Sequence, residues 1–460
     1  MTTRTSTAGA GPAVGMIGLL AALALTAPPP ASAQAPDGAS SPLAPGSGLL
    51  HPQSEDEDLR DPVAELAERL ERGVTTLPRD PEWGYLPAVL EALDVPLSSQ
   101  SLVFSRTSLQ VDMIAPWAPR AIYFNDDVYV GYTVDGLVLE IAAVDPDGGS
   151  VFYTIDQRDA DDPGLRLDDL TCKGCHETGI TGGVPGVMMR SFLTDRMGNT
   201  VTPIQERPVD DRTPMAVRFG GWYVTGTHSL PHAGNVRAEP MVHEIDRPED
   251  FLEGFDTHAG GNVVDLAGHF EQSFYLGEGS DIVALMVLAH QTRVHNLITI
   301  AAEGAQEALR ELELMRLGSG ADLGLDALPE ATHDRLDYEA ELLVRGMLFY
   351  RAEPIGEVRG TSGFAEEFAA RGPRDGRGRS LRDFSLDGRL FEYPLSFLIY
   401  SDAWDALPEL VKTRAYRRMH ELLTGGDSPD YPLLDAERRA AVLEILLETK
   451  PDFAAFATSL

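Results

Sequence analysis

The chain has 460 residues, and its 72 Asp and Glu residues outnumber its 37 Lys and Arg residues, which gives a formal net charge of −35. A chain this acidic repels nucleic acid and anionic membrane surfaces, so neither is expected as a partner. The charge suits docking to a basic protein, although a general acidity of the host's exported proteins would produce it equally well. With only two cysteines, the fold is not built on a disulfide framework.

The N-terminus has the pattern of a secretory signal peptide over residues 1–33. Arg4 supplies a positive charge, residues 14–25 are apolar, and the Ala-Ser-Ala at 31–33 is a typical cleavage site before Gln34. The alternative is an uncleaved membrane anchor. We therefore expect export to the periplasm and no membrane span after cleavage. Residues 34–60, rich in Pro, Ser, Gly and acidic residues, are predicted to form a flexible linker.

Residues 61–160 are predicted to form a mixed domain with an antiparallel meander. Asp61 followed by Pro62 indicates the start of a helix, and a second short helix is expected within residues 86–93. Strand patterns then follow, including a hairpin in which Asp135-Gly136 joins residues 128–134 to residues 137–144.

The C-terminal part, residues 281–460, is predicted to be a helical domain. Asp281 is a plausible cap for a long helix from residue 282 towards 314, with a break near Gly304. Further helices are expected at residues 336–350, 364–370, 390–400, 407–423 and 436–447. The predicted fold class is therefore α+β, with an antiparallel strand module upstream and a mainly helical C-terminal half.

Between these parts, residues 161–280 contain both cysteines, in the sequence Cys172-Lys173-Gly174-Cys175-His176. This C-x-x-C-H spacing is the attachment signature of c-type haem. Two thiols about one helical turn apart can each form a thioether with a haem vinyl group, and the adjacent histidine can bind the iron as its proximal ligand. We therefore predict one covalent haem c, held by Cys172 and Cys175 with His176 as an axial ligand.

Three other interpretations of the motif remain open at the level of sequence. A C-x-x-C pair also occurs in thioredoxin-like redox sites, but the βαβ context expected there is absent. A zinc site would need two further ligands, which would have to be histidines or carboxylates. A plain structural disulfide is the third interpretation.

The second axial ligand of the iron is less well specified. His228 and His232 are candidates for the distal ligand, and His232 is slightly preferred because it precedes an Ala-Gly-Asn turn. Residues His290 and His295 lie five apart on the long helix, about 140° around its axis, so at most one of them is expected to reach the iron. Met188 and Met189 are the methionine alternative, and the arginines of residues 371–382 could pair with haem propionates.

At Cys172 to His176 the chain resembles the c-type cytochromes. The stretches at residues 123–131 and 220–228 are similar to those of large bacterial cytochrome c-like proteins with a single haem motif. The resemblance implies thioethers at Cys172 and Cys175 and axial ligation by His176. Unlike small cytochromes, the chain is long, has an upstream strand module and lacks an obvious distal methionine. It also lacks the second C-x-x-C-H motif of di-haem peroxidases.

The expected function is a periplasmic c-type cytochrome that binds one haem, transfers electrons to redox partner proteins and is six-coordinate with two histidines. The first alternative is a peroxidase-like or oxygenase-like haem enzyme with an open distal face, in which Trp222 and Tyr223 would position substrate or carry a radical. The second alternative is a zinc-binding protein without haem. An electron carrier is favoured over a catalyst, and no catalytic residue is assigned.

Overall fold

A six-stranded antiparallel sheet dominates the N-terminal part of the computed structural model, which describes residues 59–158 and 163–460. Its strands follow one another in chain order as a meander. They are β1 (Ser101–Val103), β2 (Arg120–Phe124), β3 (Val128–Tyr132), β4 (Val138–Asp145), β5 (Gly149–Asp156) and β6 (Arg166–Leu167). Two small antiparallel pairs follow, formed by β7 (Phe192–Thr194) with β8 (Thr200–Pro203), and by β9 (Thr227–His228) with β10 (Val358–Arg359).

Helices dominate the C-terminal half, which confirms the predicted α+β class. The first four are short: α1 (Pro62–Glu71), α2 (Leu86–Ala92), α3 (Asp169–His176) and α4 (Pro248–Glu253). The longest is α5 (Ile282–Ser319), followed by α6 (Glu330–Met347), α7 (Phe364–Ala370), α8 (Asp402–Asp405), α9 (Glu409–Thr424), α10 (Ala436–Thr449) and α11 (Pro451–Thr458). Every helix in the described part of the chain is too short or too polar to cross a bilayer.

The central sheet is covered on both faces, and each face belongs to a different core. Residues such as Tyr123, Val130 and Ile141 pack with α1 and α2 in the smaller core. Their strand neighbours, among them Tyr129 and Phe152, face α5 in the larger core. Successive side chains on a strand point to opposite faces, so covering both faces explains why the strands are almost continuously apolar.

The larger core joins the three predicted domains. The described residues, 59–158 and 163–460, belong to one compact unit. Their main core takes Phe124 from the sheet, Phe219 from the middle segment and Ile298 from α5. The predicted signal peptide and nearly all of the predicted linker lie outside the described residues.

The local signals for α1 and for the hairpin are confirmed, with one difference at the turn. The Asp61 carboxylate caps α1 by accepting hydrogen bonds from the backbone N–H groups of Val63 and Ala64. In the β3–β4 hairpin the turn hydrogen bond runs from Gly136 N–H to Thr133 C=O, so Asp135, with φ +56°, is a central residue. The turn is therefore one residue earlier than an Asp-Gly turn.

Two helix predictions are wrong in part. Residues 390–400 contain only a 3-10 turn at Phe397–Tyr400, because Pro394 disfavours helical backbone in the residue before it. Helix α5 runs unbroken through Gly304, where an added Cβ would lie within 2.6 Å of all three carboxylate atoms of Glu339. That glycine therefore serves close packing against α6 rather than a break.

A partly buried carboxyl just before β3 gives the protein a pH-dependent stability. The pKa of Asp127 is raised from 3.8 to about 7, mainly by burial and also by the charges of Asp126 and Asp402, against an opposing effect of Arg382. The folded state therefore holds a proton that the unfolded chain has released, and this contribution is lost as pH rises from about 4 to about 7.

We expect Asp127→Asn to be more stable than the wild type at pH 8 by roughly 1–2 kcal/mol and equally stable at pH 4. Urea unfolding at the two pH values measures this. Asp322→Asn makes the same charge change at an exposed position and should leave the pH profile unchanged. A wild-type advantage over Asp127→Asn at pH 8 would contradict the assignment.

Candidate functional site

The two cysteines and the histidine of the motif lie on one face of helix α3. Strand β6 pairs with the end of β5, and α3 begins two residues later, at the edge of the sheet. Residues i, i+3 and i+4 share a helix face, and Cys172, Cys175 and His176 have this spacing. All three line the same cavity, whereas Lys173 and Glu177 line a different one.

A cavity of about 240 Å³, open to solvent, lies between α3 and the sheet face that is turned towards α5. Alternate residues of four strands form its floor: Arg120, Ile122, Tyr129, Gly131, Glu140, Ala142 and Phe152. The far wall is formed by Val187, Met188, Met189, Trp222, Leu288 and Thr292. Ala142 is a small residue of this floor, which leaves room for a flat ligand beside it.

A partly paired cation lies within this mainly apolar lining. The Arg120 guanidinium contacts the Glu140 carboxylate at 2.6 Å, and Glu140 also accepts hydrogen bonds from Ser108 and Gln110. An added Cβ at Gly131 would lie 2.2 Å from Arg120 Nη2, so glycine makes room for the guanidinium. The buried Nε of Arg120 has no hydrogen-bond partner in the described structure, which leaves a donor for an acidic group of a ligand.

The His176 imidazole is held in the tautomer that a metal ligand requires. Its Nδ1 lies 2.9 Å from the carbonyl oxygen of Gly186, and a carbonyl can only accept, so Nδ1 carries the proton. Nε2 is therefore the nitrogen with a free lone pair. The Gly186 N–H in turn donates to the His176 carbonyl at 2.9 Å. Burial lowers the pKa of His176 despite the opposing hydrogen bond, so the ring is neutral near pH 7.

The loop between His176 and Gly186 is fixed by close contact with α5. Gly182 and Gly183 adopt φ +87° and +88°, which lets the chain turn back sharply. The Asn296 side chain of α5 donates to the Val187 carbonyl at 3.0 Å. An added Cβ at Gly186 would lie 2.2 Å from Asn296 Oδ1. The carbonyl that orients His176 is therefore positioned by the long helix.

A hydrogen-bonded pair of rings lies behind the cavity floor. The Tyr129 hydroxyl accepts from Gln291 Nε2 at 3.0 Å and shares a hydrogen bond of 2.9 Å with His295 Nδ1. The Nε2 atom of His295 is buried without a hydrogen-bond partner in the described structure. Burial lowers the pKa of His295 to about 3 and raises that of Tyr129. Both groups are therefore neutral at physiological pH.

The structure does not bring the predicted distal histidines to this cavity. Both ring nitrogens of His228 face backbone carbonyls, of Leu230 and Gly261. His232 is buried against His228 and Phe219, and its Nδ1 accepts a hydrogen bond from Gly234. Neither residue lines the cavity of His176.

Of the other residues that the sequence suggested for the haem site, some line this cavity and others lie elsewhere. His290 uses both ring nitrogens, on Asp211 and Ser396, and does not line the cavity. Met188 and Met189 do line it, as does Trp222, whereas Tyr223 packs in the smaller core. The arginines of residues 371–382 pair instead with carboxylates elsewhere: Asp94, Asp126, Glu367, Asp375, Asp383 and Glu444.

Sequence reasoning missed Arg120, Glu140 and Tyr129 as cavity residues. They occupy three different strands and meet only through the register that pairs Tyr129 with Ala142 and Gly131 with Glu140. The sequence does hold one indication of the cavity floor, because Arg120 and Glu140 are charged residues within largely apolar strands. A polar residue on a buried face needs a partner there.

A larger cavity, about 810 Å³, lies beside the other face of α3 and is strongly polar. Its carboxylates are Asp145, Asp147, Glu177, Glu303, Glu307 and Glu339. Lys173, Arg310 and Arg335 are its only cations, so its walls carry a net negative charge. Burial raises the pKa of Glu303, and the nearby charge of Glu177 raises it further.

Residues 59–158 and 163–460 contain no cluster of three His, Cys, Asp or Glu side chains suited to holding a metal ion. Comparison of the chain with protein-family models, curated proteins and solved structures finds no match.

The fit between Gly186 and α5 can be tested by adding a single methyl group. We expect Gly186→Ala to lower the free energy of unfolding by roughly 1–3 kcal/mol, because the new Cβ must displace Asn296 or the loop. Gly179→Ala is the matched control, since an added Cβ there meets nothing within 4 Å, and we expect a change within about 0.5 kcal/mol. Equal urea-unfolding curves for the two variants would contradict the close packing.

Proposed function

We propose that this protein is a periplasmic c-type cytochrome with one haem, attached through thioethers at Cys172 and Cys175 and ligated by His176. The observation that carries the proposal is the His176 imidazole. It is neutral, donates from Nδ1 to the Gly186 carbonyl, and shares one cavity with both cysteines. A histidine that ligates a metal commonly has its second nitrogen fixed in this way by a carbonyl or carboxylate.

The residues around the cavity suit a haem. The floor is apolar where Ile122 and Ala142 lie, and the centroid of the Phe152 ring is 4.9 Å from that of the His176 ring. Arg120 offers a guanidinium with a spare donor, which is the chemistry that binds a propionate. When bound, haem supplies an iron that gains and loses one electron. The chain's residues orient the imidazole, exclude water and balance charge.

The zinc alternative receives less support from the described residues. A structural zinc site needs four ligands, and no group of three or more His, Cys, Asp or Glu side chains in the described ranges is arranged to hold a metal ion. The side chains of Cys172, Cys175 and His176 need no further ligand to anchor a haem. We therefore retain haem as the proposed cofactor.

The sixth coordination position decides between electron transfer and catalysis. In the described structure the cavity lining includes no histidine besides His176, and its thioether side chains are Met188 and Met189. We propose that one of these methionines closes the site, so the protein transfers electrons. The second candidate function is a haem enzyme with an open distal face. The apolar wall that includes Trp222 and Leu288 favours it, because such a wall leaves room for a small ligand.

We propose further that the redox partner is a basic protein. The chain carries a net charge of −35, and the acidic cavity lies directly beside α3, with Glu177 adjacent to His176 in sequence. A cationic partner would be steered to this surface and would dock close to the haem edge.

The attachment chemistry is tested by replacing the motif residues. We expect Cys172→Ala with Cys175→Ala to remove covalent haem completely, and His176→Ala to reduce haem loading sharply, because the iron loses its oriented ligand. Mass spectrometry of the denatured protein, exported from a host that matures haem c, measures retained haem. His243→Ala, at an exposed histidine, is the control and should keep its haem. Covalent haem in the double cysteine variant would refute the proposal.

The sixth ligand is tested by carbon monoxide. We expect the reduced wild type to be unchanged by CO and Met188→Leu with Met189→Leu to bind it, because leucine preserves volume but cannot ligate iron. Met215→Leu, a buried methionine outside the cavity, should behave as the wild type. CO binding by the wild type itself would instead support the enzyme with an open distal face.

A further inference from the structure

A third cavity, of about 340 Å³, lies on the far side of the loop that follows the motif. It shares Val187, Met188 and Thr292 with the cavity of His176, so the two are separated by one layer of side chains. Its walls are largely apolar, with Ile180, Leu297 and Ile300 among the lining residues. Three arginines also line it: Arg207, Arg212 and Arg293.

The cations of this cavity are incompletely neutralised. Asp210 contacts Arg212 at 2.6 Å and Arg293 Nε at 3.3 Å, so one carboxylate is shared by two guanidinium groups. Arg207 is exposed and forms no ion pair within the described structure. Among the described residues of the lining, the other carboxylate is that of Glu206, which is exposed. Three guanidinium groups therefore face two carboxylates in this cavity.

Arg293 is the strongest sign of a ligand. Its side chain is only 13% exposed, and its Nη1 is buried without a hydrogen-bond partner in the described structure. Burial lowers the pKa of Arg293, the charges of Asp210 and Asp211 oppose this shift, and the charges of Arg212 and Arg207 add to it. A buried guanidinium with an unused donor is costly unless an anion completes its pairing.

We propose that this cavity binds a small carboxylate with an apolar body. The carboxylate would pair with Arg293 and Arg207, and the apolar body would pack on Ile180, Leu297 and Ile300. A purely inorganic anion would leave the apolar walls solvated, and a neutral ligand without an acceptor oxygen would leave the Arg293 Nη1 donor without a partner. The proposed binding site does not depend on the presence of haem. Only its role as a substrate or effector site beside the cofactor rests on the proposed function.

Binding is tested calorimetrically with four probes at constant ionic strength: benzoate, hexanoate, benzyl alcohol and inorganic phosphate. We expect both carboxylates to bind the full-length exported protein, and benzyl alcohol and phosphate to bind at least about tenfold more weakly. Arg293→Gln and Arg207→Gln should each weaken carboxylate binding about tenfold or more. Because Arg207 is exposed, its variant tests the site even if Arg293→Gln unfolds. Arg377→Gln, at an exposed arginine outside the cavity that pairs with Glu444, is the matched control.

The proposed binding site would be refuted if neither carboxylate bound, or if benzyl alcohol bound as tightly as the carboxylates. It would also be refuted if Arg207→Gln bound the carboxylates with full affinity. Haem content is read from the same samples by absorbance. Carboxylate binding in protein without haem would refute the proposed cofactor but retain the binding site. In haem-containing protein, bound carboxylate should lower the reduction potential, because added negative charge stabilises the oxidised iron. An unchanged potential would refute its role beside the cofactor.

Discussion

The close approach of helix α5 to glycine backbone is the constraint on which the site depends. An added Cβ at Gly149 would lie 2.5 Å from the Thr299 side chain of α5. One at Gly182 would lie 2.6 Å from Ile300, and one at Gly186 would lie 2.2 Å from Asn296. These α5 residues span barely more than one helical turn, so a single stretch of α5 fixes the β4–β5 turn and the loop after the motif. Real Cβ atoms could occupy these positions only if the α5 side chains or the glycine backbone shifted.

This packing determines the chemistry of the histidine. With Gly186 held against α5, its carbonyl stays 2.9 Å from His176 Nδ1, and the lone pair remains on Nε2. Such a hydrogen bond also increases the basicity of the ligand nitrogen, which is one of the means by which a protein adjusts a metal's reduction potential. The fold thus links a packing requirement of the helical half to the electronic properties of the motif.

Local sequence signals predicted local structure well. Asp61 before Pro62, and Asp281 before an apolar run, each mark a helix start that the structure has, because capping depends only on neighbouring residues. Pro394 was the signal against a helix at residues 390–400. The cavity floor could not be predicted in the same way, since Arg120 and Glu140 meet only through sheet register. Likewise, nothing near His228 and His232 in sequence shows that their turn packs away from α3.

The motif residues themselves were identifiable from sequence, because one helical turn places all three on one face. What the structure adds is the environment: a cavity, an oriented imidazole and a cation with a spare donor. These features are independent of one another in sequence, since they come from β2, β3, α3 and α5. A shared cavity for all of them is the reason to favour haem attachment over a disulfide or a zinc site.

The most direct test of this account is the reduced-minus-oxidised absorption spectrum of the protein, exported from a host able to mature haem c. The account predicts the Soret and α bands of a haem c held by thioethers. A protein that is folded and exported but shows no Soret band would contradict the central claim that Cys172, Cys175 and His176 hold a haem.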